Sequence, residues 1–480
     1  MTQTSPAQDP QGDASPPSDL VPDEHTLATV DRWLEYRLWH SRTPGAQVAV
    51  GVAGQPFFSR AYGWADLERR VPMRTDHLFR IASHSKTFTA TLVLQLVEQG
   101  RLGLDDPVGS QLPQLDPAGP LAGIRVRELL EHTGGVLRDG LDAGHWEFRR
   151  AFPDTAALLD LARDGGTKAA PGAVFAYSNV GYSLLGLVIE QVTGTSFAEA
   201  ARASVIAPLG LRDTAADHLP ERAEDYAAGH SGLHTGTRRR VLPHVDTAAM
   251  AAATGFTSTA TDLVGYFGAH ALGDERLLTD RTKRLMQRAA NATNPLSADD
   301  AGYGWGMVVD RIDDHPYVGH SGGYPGHITK TLLDPTTGLV ICVLTNSIDG
   351  PATPLARGVA QLLAEARKLT GTAGRRPSAE LVARTGRYAS GWGVGDLALL
   401  GGQLRTLDPT AAAPLEGADH LEEDDEGLRI ADGSGFGSVG ERVSFVDDPA
   451  GGPASVRYAG MELRAWPELD DSPERRLGTG

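Results

Sequence analysis

The 480-residue chain reads as an α+β protein: an antiparallel sheet flanked by helices, with an α-rich middle, followed by a small all-β domain, either a barrel or a sandwich. Three observations predict this. Strand-like runs bounded by turn residues lie near both ends of the stretch from Asp23 to about Thr370. Helical periodicity and loops fill Thr155 to about Gln287 between them. Beyond Pro377 the composition shifts to Gly- and Asp-rich short segments, with turn signals about every ten residues. Hairpins on either side of a helical run are most simply placed in one shared sheet.

Taken in order, Met1 to Pro22 is Pro, Ser, Gln and Asp without a packing face, so a disordered tail is expected over 1–22. Leu27 to Trp39 is amphipathic, and Gln47–Val52 and Pro56–Tyr62 form a hairpin around Ala53-Gly54-Gln55. Gly63 to Arg80 reads as loop, and Thr89 to Glu98 as a helix stopped by Gly100. Val126 to His132, Gly181 to Thr193 and Thr261 to Leu272 are further helices. Late strands are expected at Gly304–Val309, Tyr317–His320, Ile328–Leu333 and Leu339–Thr345, with a Pro335–Gly338 turn between the last two. A helix from about Thr353 to Lys368 completes a domain over 23–370. Residues 371–378 read as a linker and 379–480 as the all-β domain, in which the acidic run Glu422 to Glu426 is expected to be a solvated loop.

Composition excludes several functions. With 44 Lys and Arg against 61 Asp and Glu, a net charge of -17, the chain has no electrostatic grip on nucleic acid or anionic lipid. Cys342 is the only cysteine, inside an apolar run, so no disulfide framework forms within the chain. The N-terminus lacks a basic and an apolar signal region, and no run approaches the roughly 18 to 20 apolar residues that span a bilayer. A cytoplasmic protein without a membrane partner is expected. No motif speaks to oligomeric state.

The chemistry concentrates in three places. Ser83 and Lys86 lie three apart at the opening of the Thr89 helix, so they are neighbours, and an amine there is held toward its neutral form by the helix dipole and by burial. A hydroxyl beside such an amine is a candidate nucleophile beside its activator. Tyr177-Ser178-Asn179 precedes an apolar helix; a phenol whose anion is stabilised by Lys86 can act as a base, and Asn179 can donate to an amide carbonyl. His320-Ser321-Gly322-Gly323 ends a strand, where glycines admit a substrate backbone and an N–H can serve an oxyanion hole. Gly319 to Gly323 also fits G-x-S-x-G, which would make Ser321 the nucleophile, but that elbow needs strand, sharp turn, then helix, and a β-like run follows. The H-E-x-x-H pattern is absent and His315, His320 and His327 lack helical spacing, so no metal and no cofactor are expected.

These three marks, in this order, resemble the serine beta-lactamase and penicillin-binding superfamily, in particular its class C-like branch of D,D-peptidases, D-aminopeptidases and esterases. Further stretches are similar to that family: Gly63–Asp66, Asp105–Val108, Val126–Gly135, Pro208–Leu211, Ser258–Leu263 and Tyr303–Gly306. The resemblance covers about Asp23 to Lys368, and the tail after Pro377 is similar to the β-barrel appendage of some D-aminopeptidase-like members. It implies that Ser83 forms an acyl-enzyme and that Lys86 and Tyr177 take and return the proton. The N–H groups of Ser83 and Gly323 would then bind the oxyanion, while Asn179 and His320 position the substrate. Where class C beta-lactamases have Lys-Thr-Gly, this chain has His320-Ser321-Gly322, which exchanges a permanent cation for a group largely neutral at pH 7. The expectation is therefore a serine hydrolase of small amides, D-amino-acid peptides or esters. The alternatives are a beta-lactamase proper and a catalytically idle binding or sensing member of the fold.

Overall fold

The structure is a computed structural model that describes residues 20–234, 236–290, 300–370, 376–433, 438–447 and 453–466. Most of the expected tail and residues 371–375 of the expected linker lie outside the described residues. Eight strands form one antiparallel sheet: β1 (Gly45–Val52), β2 (Gln55–Asp66), β3 (Val71–Pro72), β4 (Asp300–Tyr303), β5 (Val308–Ile312), β6 (His315–Tyr324), β7 (His327–Leu333) and β8 (Leu339–Thr345), in the order β3-β2-β1-β8-β7-β6-β5-β4. The two ends of the stretch thus meet at its centre, where Ala46 pairs with Thr345 and Val52 with Leu339.

Strands β1 and β8 are buried along their whole length because both faces of the sheet are covered. Side chains of alternating residues enter two cores. Val48, Val50, Ile341 and Val343 pack with Trp33 and Leu34 of α1 (Glu24–His40) and with Leu355 and Val359 of the helix Ala352–Thr370. Ala49, Val340, Cys342 and Leu344 face the helical layer. In that layer lie α2 (Ser85–Glu98), α3 (Thr155–Gly165), α4 (Asn179–Thr193) and α5 (Ala260–Gly268); the helix Ala352–Thr370 on the opposite face is α6. Burial pushes the Cys342 thiol up to about 12, so it is a packing residue without reactivity.

The remainder closes into an eight-stranded barrel: β9 (Gly386–Ala389), β10 (Val394–Leu400), β11 (Gln403–Leu407), β12 (His420–Asp424), β13 (Gly427–Asp432), β14 (Arg442–Asp447), β15 (Pro453–Tyr458) and β16 (Met461–Ala465). Closure decides between the two expected all-β architectures and removes the sheet edges. A short helix, Ala379–Ala383, capped by the Ser378 side chain, precedes the barrel where only strands were expected. The barrel is seated on α1. Ala398, Leu400 and Leu407 join the α1–α6 core, and Asp396 accepts from Arg387 at 2.8 Å while lying 3.7 Å from Arg32 of α1.

Three sequence expectations are corrected. Only Val308 and Val309 of Gly304–Val309 are strand: Gly304 to Gly306 turn between β4 and β5, and Gly306 has φ +75° with no room for a Cβ, which would lie 2.9 Å from the Lys86 carbonyl oxygen. Gly63–Arg80 is not all loop, since β2 continues to Asp66 and pairs with β3. The acidic run is a loop only at Asp425 and Glu426: Glu422, Glu423 and Asp424 belong to β12, where Glu422 pairs with Arg429 and Asp424 with Arg442, each at 2.5 Å.

Candidate active site

Ser83 sits in a single 3-10 turn, Ala82–His84, that leads directly into α2. Ala82 takes φ +48°, a left-handed conformation that a Cβ disfavours, and so turns the chain sharply just before the hydroxyl. The turn is clamped on both sides. The Ile81 N–H donates to the Phe256 carbonyl, and the His84 ring bonds Ile81 O at 3.1 Å and Thr331 Oγ1 of β7 at 3.0 Å. His84 is buried, which drives its pKa down to about 3 and keeps it neutral. Its neighbours Ala82, His84 and Ser85 are buried, whereas Ser83 itself retains exposure.

Lys86 projects from the first turn of α2 and is entirely buried. Its Nζ lies 3.2 Å from Ser83 Oγ, 2.7 Å from Asn179 Oδ1 and 2.8 Å from the Ala253 carbonyl oxygen. Burial holds its pKa well below the usual lysine value; the carboxylate of Asp139 pulls the other way, and Arg138 adds to the depression. Asn179 opens α4, and its Nδ2 donates to Asp139 Oδ1 at 2.7 Å. The amide therefore links the amine to a carboxylate, leaving one of its N–H protons for another acceptor. Tyr177 reaches Ser83 from the loop ahead of α4. Its pKa is raised by burial and lowered in part by the hydrogen bond to Ser83. Lys86 Nζ lies over the phenol ring, 4.8 Å from its centroid. The resting phenol is thus neutral rather than a cation-stabilised anion.

The third group comes from β6. Gly322 faces the Ser83 turn so closely that a Cβ there would lie 2.2 Å from the Ile81 carbonyl oxygen. Strand β5 pairs with β6 only as far as Gly319, whereas β7 pairs with it through Tyr324. Among the described residues, one edge of His320–Tyr324 therefore has no strand partner, and the Ser83 turn packs against this strand. His320 is buried beneath that edge; its Nε2 lies 3.2 Å from the Tyr303 hydroxyl and its Nδ1 2.5 Å from Ser321 O. Its pKa is well below the usual imidazole value because of burial, with His84 and Lys86 nearby contributing. Ser321 alternates to the opposite face of the sheet and is exposed. Gly319 to Gly323 lies inside β6, so the strand–turn–helix elbow is absent.

The structure thus brings together Ser83, Lys86, Tyr177, Asn179 and the Gly322-Gly323 segment, and holds the side chain of Ser321 apart. Sequence reasoning gave no role to His132, Asp139 or Tyr303. His132 accepts from the Ser178 N–H at 3.1 Å and packs its ring 4.3 Å from that of Tyr177 and 4.8 Å from that of Tyr303. His132 and Tyr303 fall within stretches already noted, but Asp139 carries no local signal.

A sheet with helices on both faces and a clamped serine beside a buried lysine defines a serine hydrolase of the beta-lactamase fold. The family model described as Beta-lactamase matches residues 30–402, and the chain belongs to that family. It is 32% identical over 315 residues to Penicillin-binding protein 4 of Amycolatopsis lactamdurans, an alignment covering 63% of this chain and 81% of the relative. It spans less than two thirds, 64%, of Penicillin-binding protein 4* of Bacillus subtilis. Among solved structures, the D-amino acid amidase of Ochrobactrum anthropi SV3 is similar at 28% identity and a TM-score of 0.58, over 67% of this chain and 91% of that one. SurE is similar at 26% identity and a TM-score of 0.60, over 92% of this chain and 99% of that one.

Proposed function

We propose that the protein hydrolyses small amides, D-amino-acid peptides or esters through an acyl-enzyme on Ser83. The observation that carries this reading is the 3.2 Å contact between Lys86 Nζ, wholly buried, and Ser83 Oγ, with the Tyr177 ring 4.8 Å from the same Nζ. In its neutral form Lys86 takes the Ser83 proton as the Oγ–carbon bond forms. Tyr177, a neutral phenol, hands a proton to the departing nitrogen or oxygen as its bond to carbon breaks. Water then releases the acyl group by the reverse relay. The N–H groups of Ser83 and Gly323 are assigned to the oxyanion, and the remaining Asn179 N–H to the substrate carbonyl.

The substrate class rests on two supports. A neutral, buried His320 offers no cation to a substrate carboxylate, which disfavours lactam antibiotics. The amidase similarity favours D-aminoacyl amides. A fluorophosphonate probe is expected to label the wild type and not Ser83→Ala; an unlabelled wild type would instead support an idle binding member. Turnover of D- and L-aminoacyl amides, short esters and nitrocefin by the labelled protein then fixes the class, and nitrocefin hydrolysis well above the others would make it a lactam hydrolase.

A further inference from the structure

The Lys86 amine faces three oxygens, and their chemistry decides where its lone pair points. A neutral amine has two N–H donors and one lone pair. The Ala253 carbonyl oxygen at 2.8 Å and Asn179 Oδ1 at 2.7 Å can only accept, so they take the two N–H groups and leave the lone pair for the Ser83 hydroxyl at 3.2 Å. That assignment depends on the sense of the Asn179 amide. Turned over, its Nδ2 would donate to the lone pair and compete with Ser83. Asp139, a carboxylate that only accepts, fixes the sense by taking Nδ2 on its Oδ1 at 2.7 Å.

Asp139 is held in turn by Trp146, whose indole Nε1 donates to the same Oδ1 at 2.9 Å. Trp146 lies on the single 3-10 turn Gly144–Glu147, and its ring packs edge-on against Phe152 at 5.2 Å and Tyr324 at 6.4 Å. A phenylalanine would fill that packing without supplying the N–H. The Asp139 side chain is only 12% exposed, so little water is at hand to replace the donor. Its other oxygen lies 3.3 Å from Nε of Arg138, a side chain turned mostly to solvent.

We propose that Trp146 is a positioning residue for Lys86: its N–H seats the Asp139 carboxylate, which orients the Asn179 amide and so aims the amine's lone pair at Ser83. The inference deepens the reading of Lys86 as the base and rests on it. Charge follows the same path. Asp139 draws Lys86 toward its protonated form, and the indole N–H offsets part of that negative charge. The other charged or titratable groups around Lys86 are Arg138, His132, His320, Tyr177 and Tyr182, and a substitution at Trp146 removes none of them.

The rate of fluorophosphonate labelling of the full-length protein, followed across pH, tests this without reference to the natural substrate. Trp146→Phe, which keeps the ring packing and drops the N–H, is expected to slow labelling about tenfold. It should also move the acidic limb of the labelling rate to higher pH, the direction opposite to Asp139→Asn. Asp139→Leu removes the acceptor and leaves the indole N–H nothing to hold, so in that background Trp146→Phe should cost less than about twofold. If Asp139→Leu fails to fold, the limb of Trp146→Phe decides the matter. A rate or limb in Trp146→Phe equal to that of the wild type, a limb moved to lower pH, or losses that multiply in the double variant would each overturn the inference and leave the Ser83 chemistry standing. An unlabelled wild type would instead end the acyl-enzyme reading, and this inference with it.

Discussion

Lys86 works as a base only when neutral, and the residues around it set how much of it is neutral. Replacing it by Arg keeps size and charge but supplies a group that does not give up its proton. Lys86→Arg is therefore expected to lose about 10²-fold or more in kcat/KM, nearly as much as Lys86→Ala, since positioned general bases contribute on that scale. Near-wild-type turnover in the Arg variant would remove Lys86 from the relay. The pH dependence has a definite sign. Because the lysine's pKa is depressed, activity is expected to fall as the pH drops through that lowered value, protonation removing the base, at a pH well below that at which an ordinary lysine titrates. Asp139 pulls the value upward, so Asp139→Asn, which keeps the shape of the side chain, should move the acidic limb of the kcat/KM profile to lower pH. An unmoved limb would show that Asp139 only holds Asn179 in place. Ser83 and Lys86 were legible in the sequence because three-residue spacing on a helix is local information. Asp139 was not, because it acts through Asn179, and nothing within a few residues of it records that contact.

At the level of the element, the site depends on how closely β6 approaches the Ser83 turn, and two adjacent glycines separate that requirement from general flexibility. A Cβ at Gly322 would fall 2.2 Å from the Ile81 carbonyl oxygen and 2.4 Å from Thr329 Oγ1, forcing strand and turn apart. At Gly323 the nearest contact is Ile328 Cδ1 at 3.6 Å, an ordinary packing distance. Gly322→Ala is accordingly expected to destabilise by about 1–3 kcal/mol and to slow fluorophosphonate labelling, whereas Gly323→Ala should leave the thermal midpoint nearly unchanged. Equal midpoints for the two variants would mean that the close approach is not needed. Strand identities were legible wherever apolar residues ran without interruption, as in β8. Their ends were not: Gly304 to Gly306 continue the strand pattern in the sequence but turn where Gly306 meets Lys86 and Ala90 of α2, a constraint imposed from about 220 residues away in the chain.

Across the whole molecule, several histidines are buried or half-buried beside the sheet and kept neutral by the fold, and this makes its stability sensitive to acid. His84 and His244 are pushed down to about 3 and His270 to about 4, all by burial, and His132, His320 and His327 shift the same way. An unfolded chain would protonate each near pH 6.5. Between about pH 6.5 and pH 4 the unfolded state therefore binds protons that the folded state refuses, and stability falls as the pH falls. At pH 5 the first three contribute a loss on the order of 6 kcal/mol relative to pH 8. Asp217 opposes them: burial raises it to about 6, so in the same window the folded state gains a proton, worth on the order of 1 kcal/mol. A net loss of about 4–5 kcal/mol is comparable with the whole stability of many domains. The barrel contributes only His420, shifted in the same direction, among its described histidines. The denaturant midpoint of the full chain is therefore expected to decline steeply from pH 7 to pH 5, with proton uptake on unfolding of two or more. A midpoint that is flat or rises over this interval would show that these rings are protonated in the folded protein, and would with it undo the neutral His320 on which the choice against lactam substrates rests.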